Sequence, residues 1–199
     1  MSMETIYRLL YCIVKPFFCL CHPVRSIGRE NIPEGAVVLC ANHTALTDPL
    51  FVCFAARLHF IIRPMAKIEL SRVPLIGWLL GKAGVIYVDR GHADVKAVKS
   101  ALSCLKGEGK LLIFPEGTRV HEGEDVAAKG GAALFATRTA SPILPVYVTR
   151  KKPWFRPTTV VFGQPFHPQI AGRKATAEEL DQITHTVMDQ IHALGEGLE

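Results

Sequence analysis

The chain contains no run of about 20 apolar residues, the length an α-helix needs to cross a bilayer. Its most apolar N-terminal stretch, residues 6–21, is interrupted by Arg8, Lys15 and Pro16. No transmembrane span is therefore expected. No secretory signal is expected either, because no basic residue precedes Arg8 and no convincing small-x-small cleavage site follows the apolar stretch. The six cysteines, Cys12, Cys19, Cys21, Cys40, Cys53 and Cys104, have no repeated spacing. Cys19-x-Cys21-His22 lacks the second pair that a zinc site requires, so no metal is expected. The cysteines read instead as small buried hydrophobes in a reducing compartment. Neither a dense Lys/Arg run nor a nucleic-acid-binding motif is present, which sets nucleic acid aside as a partner. No internal repeat or long linker divides the 199 residues.

What is present suits one domain with a substantial core. Hydrophobic residues make up 49% of the chain, and a formal charge of +5 favours an anionic membrane, a phosphorylated substrate or an acidic carrier protein. Residues 1–25 form a segment apart from the domain at 26–199. Two short apolar pieces, residues 9–14 and 17–21, lie among basic residues, with Tyr7, Tyr11, Phe17 and Phe18 adding amphipathic rings. Such a segment suits the lipid interface, and the aromatics favour that reading over a first helix packed on the core.

Beyond Pro33 and Gly35, short apolar runs alternate with helical patterns. Strands are expected at 36–40, 59–63, 85–88, 110–114, 143–148 and 159–162, and helices at 49–58, 93–106, 127–139 and from Thr176 onward. In the 93–106 helix Val95, Val98, Leu102 and Leu105 make the apolar stripe. In the last, Thr176 and Glu179 make a capping box ahead of the Leu180, Ile183, Val187, Ile191, Leu194 stripe. This alternation predicts an α/β fold: a mixed, largely parallel central sheet flanked by helices. Ligand sites in such sheets lie beyond the carboxyl ends of the strands.

The most informative stretch is Asn42-His43-Thr44-Ala45-Leu46-Thr47-Asp48, a polar turn closing an apolar strand. On a helix, His43 and Asp48 would sit about 140° apart. Asp48-Pro49 also reads as a helix start, so the two flank a tight loop that lets the carboxylate fold back onto the imidazole and fix its tautomer. The alternative, an N-capping Asp48 and a merely structural His43, stays open at this point. A second turn, Phe114-Pro115-Glu116-Gly117-Thr118-Arg119, follows another strand and has the Pro and Gly positions of a type I turn.

Together these residues resemble the glycerolipid acyltransferases, the family typified by 1-acyl-sn-glycerol-3-phosphate acyltransferase. Asn42-His43 with Asp48 matches the family's first block, and Phe114 to Arg119 its third. Lys67-x-Glu69, Pro74, Gly77 and Arg90 match the second, and Leu144-Pro145-Val146 the fourth. The blocks occur in family order. Ala45 and Val120 stand where the family often has Ser.

The resemblance implies an enzyme that passes a fatty acyl group from acyl-CoA or acyl carrier protein to the free hydroxyl of lysophosphatidic acid, giving phosphatidic acid for phospholipid biosynthesis without a cofactor. Glycerol 3-phosphate, another lysophospholipid or, in a hydrolase, water are the alternative acceptors. His43 would be the general base and Asp48 its orienting partner. Arg119 and Glu116-Gly117-Thr118 would hold the acceptor, with Lys67 and Arg90 adding positive potential. For Glu116 a structural hydrogen bond to the turn is an equal reading. The expected location is peripheral, on an anionic membrane at the cytoplasmic face.

Overall fold

The computed structural model describes residues 1–89, 94–120 and 127–198. Among them seven strands form one sheet: β1 (Val24–Ile27), β2 (Val37–Ala41), β3 (Ile62–Lys67), β4 (Ile86–Val88), β5 (Lys110–Ile113), β6 (Ile143–Val148) and β7 (Thr158–Phe162). Their order is β1-β7-β6-β2-β5-β3-β4, and every neighbouring pair is parallel except β6 with β7. The helices are α1 (Met3–Cys21), α2 (Asp48–Ala55), α3 (Ile76–Lys82), α4 (Val95–Lys106), α5 (Gly131–Thr139) and α6 (Ala177–Gly195). The mixed, largely parallel sheet flanked by helices is the architecture expected from sequence.

Strand β2 shows why the central strands read as unbroken apolar runs: all five of its residues are buried, because both faces of the sheet are covered. Val37, Leu39 and Ala41 pack with Phe51 and Val52 of α2, whereas Val38 and Cys40 pack with α4, α5 and α6 on the opposite face. The chain leaves β2 through α2 on the first face toward β3, and leaves the neighbouring β5 through α5 on the other face toward β6. Between β2 and β5 the connections thus diverge, which opens a crevice at the carboxyl ends of the two strands.

Several elements differ from expectation for physical reasons. Strand β3 begins three residues later than expected and runs through Pro64; residues 57–60 form a turn closed by Phe60 N–H to the Arg57 carbonyl at 3.0 Å. Pro64 is paired with β5 alone, since pairing with β4 starts only at Met65. Helix α5 starts at Gly131, because two successive glycines are weak helix formers and the Lys129 N–H is spent on the Pro115 carbonyl at 2.7 Å. On α4 the buried positions are Ala97, Ala101, Cys104 and Leu105, while Val95 is exposed. Small residues there let the helix axis approach the sheet closely. Strand β1, too short to show a pattern, was not anticipated. The capping box of α6 is formed as expected.

The N-terminal stretch is one helix rather than two pieces. Pro16 is tolerated because it lies on the exposed side, where the Cys12 carbonyl it leaves without a helical partner also lies. One face of α1 packs on α2, with Tyr11 edge-on to Phe54 at 5.3 Å and Phe18 edge-on to Phe51 at 5.0 Å. The other face leaves Leu9, Ile13, Phe17 and Leu20 exposed.

Near the crevice, Gly77 of α3 is packed against the 3-10 turn Ile68–Arg72: a Cβ at this position would lie 2.3 Å from the Ser71 carbonyl oxygen and 2.7 Å from that of Leu70. Those atoms are backbone and cannot swing aside. Gly77→Ala is expected to cost about 2 kcal/mol through overpacking, which in a chain of this size lowers Tm by roughly 4–8 °C. Thermal melting by circular dichroism measures it, and an unchanged Tm would show that the 3-10 turn retreats freely.

Candidate active site

His43 follows β2 and Glu116 follows β5, so both stand at the crevice where the connections diverge. The Nδ1 of His43 lies 3.0 Å from Asp48 Oδ2. The same oxygen accepts the backbone N–H groups of Thr44 and Ala45, each at 2.7 Å. Asp48 Oδ1 lies 2.9 Å from Lys152 Nζ, and no part of the Asp48 side chain is exposed. Burial by itself would raise the Asp48 carboxyl. The His43 hydrogen bond, the Lys152 charge and the Ala45 N–H outweigh it and leave the carboxyl below its ordinary range. Asp48 is therefore an anion at neutral pH and only accepts hydrogen bonds, so His43 must carry its proton on Nδ1 and present Nε2 as a free base.

The N-cap reading of Asp48 is corrected by this geometry. Thr47 occupies the cap position without a side-chain bond, and Asp48 is the first helical residue with its carboxylate turned back into the loop. Three donors in the loop, two of them backbone N–H groups that the tight turn leaves without carbonyl partners, hold it there.

The main chain of His43 is gripped from both sides by the second turn. Its N–H donates to Glu116 Oε2 at 2.7 Å, and its carbonyl accepts the Val120 N–H at 2.8 Å. The imidazole stacks on Phe114 with ring centroids 4.2 Å apart. Before it, the Asn42 amide bridges to β6, donating to the Val148 carbonyl at 2.9 Å and accepting its N–H at 2.8 Å. That side chain continues the β2–β6 pairing one step beyond Ala41. The second turn closes with Gly117 N–H to the Phe114 carbonyl at 2.9 Å, and Gly117 has φ +68°, a conformation that suits glycine.

His43 opens onto a cavity of about 370 Å³ whose lining includes Lys67, Glu69, Leu70, Thr118 and Arg119. Of the residues singled out from sequence, His43, Lys67, Thr118 and Arg119 meet at this cavity, and Asp48 sits directly behind His43. Lys67, Thr118 and Arg119 are exposed. Glu116 is buried and faces the His43 main chain. Arg90 lies outside the described residues. The sequence reading missed Lys152, although a basic cluster just past β6, the strand beside β2, was the available signal. It also missed the Asn42 bridge and the backbone role of Val120, which explains how a residue without a hydroxyl serves at that position.

The chain is similar to known proteins in sequence and in fold. The profile of the family described as "Acyltransferase" matches residues 23–149. The chain is 33% identical over 178 residues to the 1-acyl-sn-glycerol-3-phosphate acyltransferase of Borreliella burgdorferi, covering 82% of this chain and 68% of the relative. It is 32% identical over 166 residues to the enzyme of the same name from Pseudomonas aeruginosa, covering 76% and 62%. It thus spans about two thirds of the length of these relatives. The crystal structure of the 1-acyl-sn-glycerophosphate acyltransferase PlsC from Thermotoga maritima superposes with a TM-score of 0.67 at 23% identity, over 98% of this chain and 77% of that one.

Burial pushes the Glu116 carboxyl up from 4.5 to about 7, with the His43 N–H and the Arg150 charge opposing and the Asp48 charge adding to the rise. The folded chain therefore keeps this proton to higher pH than the unfolded chain. The stability from this group is fully present below pH 4.5 and is lost as pH rises through about 7. Glu116→Gln retains an acceptor for the His43 N–H but cannot titrate. Its Tm relative to wild type should accordingly climb between pH 5 and 8, with the Asp48 contribution cancelling in the difference. Melts across that range test this, and a pH-independent difference would contradict it.

Proposed function

The chain belongs to the acyltransferase family, and from that membership we propose that it transfers a fatty acyl group from an acyl thioester to the free hydroxyl of 1-acyl-sn-glycerol 3-phosphate, giving phosphatidic acid. The thioester is carried by coenzyme A or acyl carrier protein. The observation that carries the proposal is the Nδ1–Asp48 bond, which sets His43 as a base at a cavity rimmed by Lys67, Thr118 and Arg119. The names of the relatives support the choice of acceptor.

A glycerol hydroxyl is too weak an acid to attack a thioester unaided at neutral pH. His43 Nε2 takes its proton as the alcohol oxygen bonds to the carbonyl carbon, and Asp48 stabilises the resulting imidazolium. When the C–S bond breaks, the same proton passes to the departing thiolate. The acyl group moves directly between carriers, and no acyl-enzyme is formed. Arg119 grips the acceptor phosphate with its planar fork, and Lys67 adds positive potential at the same mouth. Arg90 joins them on its sequence match. Glu116 and Gly117 hold the turn that presents Thr118 and Arg119, and Glu116 also fixes the His43 backbone.

The domain works from a membrane surface. Among the described residues no helix is long and apolar enough to span a bilayer, but α1 turns Leu9, Ile13, Phe17 and Leu20 outward. Residues 1–25 form the interface segment of this reading, and residues 26–199 the catalytic domain. Trp154 and Phe155, exposed beyond β6, extend the same apolar edge: Phe155 N–H donates to the Cys21 carbonyl at 2.7 Å, and the Trp154 ring lies 4.7 Å from that of His22. Arg8, Lys15, Lys151 and Arg156 stand nearby in sequence and suit anionic lipid. In this reading the surface is at the cytoplasmic face, where donor thioesters and unpaired cysteines suit a reducing compartment.

His43→Ala should fold and lose on the order of a hundred- to ten-thousand-fold in rate. With an acyl thioester, thiol release that depends on lysophosphatidic acid supports transfer, while release without acceptor would make the protein a hydrolase. Wild type should strongly prefer lysophosphatidic acid over monoacylglycerol, and Arg119→Ala should lose roughly tenfold or more of that preference. A mutant retaining the full preference would reassign Arg119 to the turn. Deleting α1 would uncover Phe51 and Phe54, so the membrane reading is better tested by substitution on the outer face. Replacing Ile13, Phe17 and Leu20 with Ser should leave Tm nearly unchanged and cut co-sedimentation with anionic vesicles by about tenfold or more; undiminished binding would move the contact elsewhere.

A further inference from the structure

We propose that Lys152 is a positioning residue of the catalytic pair: its ammonium fixes the second oxygen of Asp48 and thereby governs how strongly His43 holds a proton. The inference deepens the acyl-transfer reading and rests on it for its catalytic meaning. Lys152 lies in the connection after β6, far from the His43 turn in sequence. Its Nζ nevertheless lies 2.9 Å from Asp48 Oδ1 and donates to Thr44 Oγ1 at 2.7 Å and to the Thr149 and Arg150 carbonyls at 3.0 and 3.2 Å. Only 9% of the side chain is exposed. A lysine that served solubility would keep its ammonium in water and its rotamers free. This one gives up both, and four oxygens enclose it.

The two Asp48 oxygens have separate tasks. Oδ2 is saturated by His43 Nδ1 and the two loop N–H groups, whereas Oδ1 is left to Lys152. An unpaired anion with no exposure beside His43 would bind the imidazolium so firmly that the ring would lose its value as a base near neutral pH. Lys152 offsets part of that charge from the side away from the ring. Among the described residues, other charged groups facing the cluster are Glu116, which contacts the His43 main chain, and Arg150, whose charge acts on Glu116. Lys67, Glu69 and Arg119 line the cavity in front of the ring. Against Oδ1 itself stands Lys152 Nζ, at 2.9 Å.

The test follows the His43 ring directly, by NMR titration of its Cε1–H signal, assigned by its absence in His43→Ala. Lys152→Met removes the charge but keeps an unbranched chain; the titration midpoint should move up by about one pH unit. Lys152→Arg keeps the charge and should leave the midpoint within a few tenths of wild type. In acyl transfer, the acid limb of the kcat/KM profile should shift with it, and kcat should fall while acceptor KM changes little. Should Lys152→Met fail to fold, Thr44→Val, which removes only the hydroxyl that holds the ammonium, should move the midpoint in the same direction by less. A midpoint that stays in place in the folded variant overturns the proposal, even if Tm or activity falls. Because the titration needs no turnover, its outcome is separate from whether the chain proves to be an acyltransferase.

Discussion

A carboxylate withdrawn wholly from water must recover its lost hydration from hydrogen bonds and opposite charge, and the arrangement around Asp48 meets that demand almost point by point. Two backbone N–H groups, an imidazole and an ammonium converge on its two oxygens. Each donor is placed by a different part of the chain: the tight turn supplies the N–H groups, β2 delivers His43, and the connection after β6 supplies Lys152. The compact turn and the short α2 that follows make sense once the buried anion is taken as the fixed point. The sequence Thr47-Asp48-Pro49 starts a helix, yet the acid is drawn away from capping it because the loop donors offer more.

The second turn stands in a similar relation to His43. Glu116 and Val120 clasp one residue's N–H and carbonyl, and Phe114 backs its ring, so the imidazole is held by backbone and stacking as well as by Asp48. The same turn carries Thr118 and Arg119 outward to the cavity. One seven-residue stretch, Phe114 to Val120, thus couples the orientation of the imidazole to the position of the groups in front of it. A displacement of either would be felt by the other.

What the sequence disclosed follows from how local each feature is. His43 and Asp48 are five residues apart and lie between a strand and a helix, so their meeting was readable from turn geometry. The β-turn at Phe114 was readable from its Pro and Gly. The capping box of α6 and the largely parallel sheet were visible for the same reason, as patterns complete within a short window. Glu116 was legible as a turn residue, but its choice of the His43 N–H depends on β2 and β5 being neighbours. Lys152 was visible only as one member of the basic cluster past β6, because β6 must lie on the other side of β2 before its ammonium can reach Oδ1. On α4, Val98, Leu102 and Leu105 of the expected stripe pack on the core, but Val95 is exposed and Ala97, Ala101 and Cys104 take buried positions, because close helix–sheet approach favours small residues. The strand expected at 59–63 stopped short of Pro64, whereas β3 runs through it, because its neighbour on one side, β4, pairs only from Met65.

The Asn42 amide, bonded to both main-chain groups of Val148, joins residues 106 positions apart; the Glu116 and Lys152 contacts span 73 and 108. Ordering such contacts requires closing long loops, and parallel pairings of this kind form late and slowly. On the ribosome the histidine and its aspartate emerge well before β6 exists. A nascent chain therefore holds His43 and Asp48 without the strand that anchors Asn42 or the lysine that stands against the carboxylate. The turn gains its full set of contacts only when the last third of the polypeptide has been made.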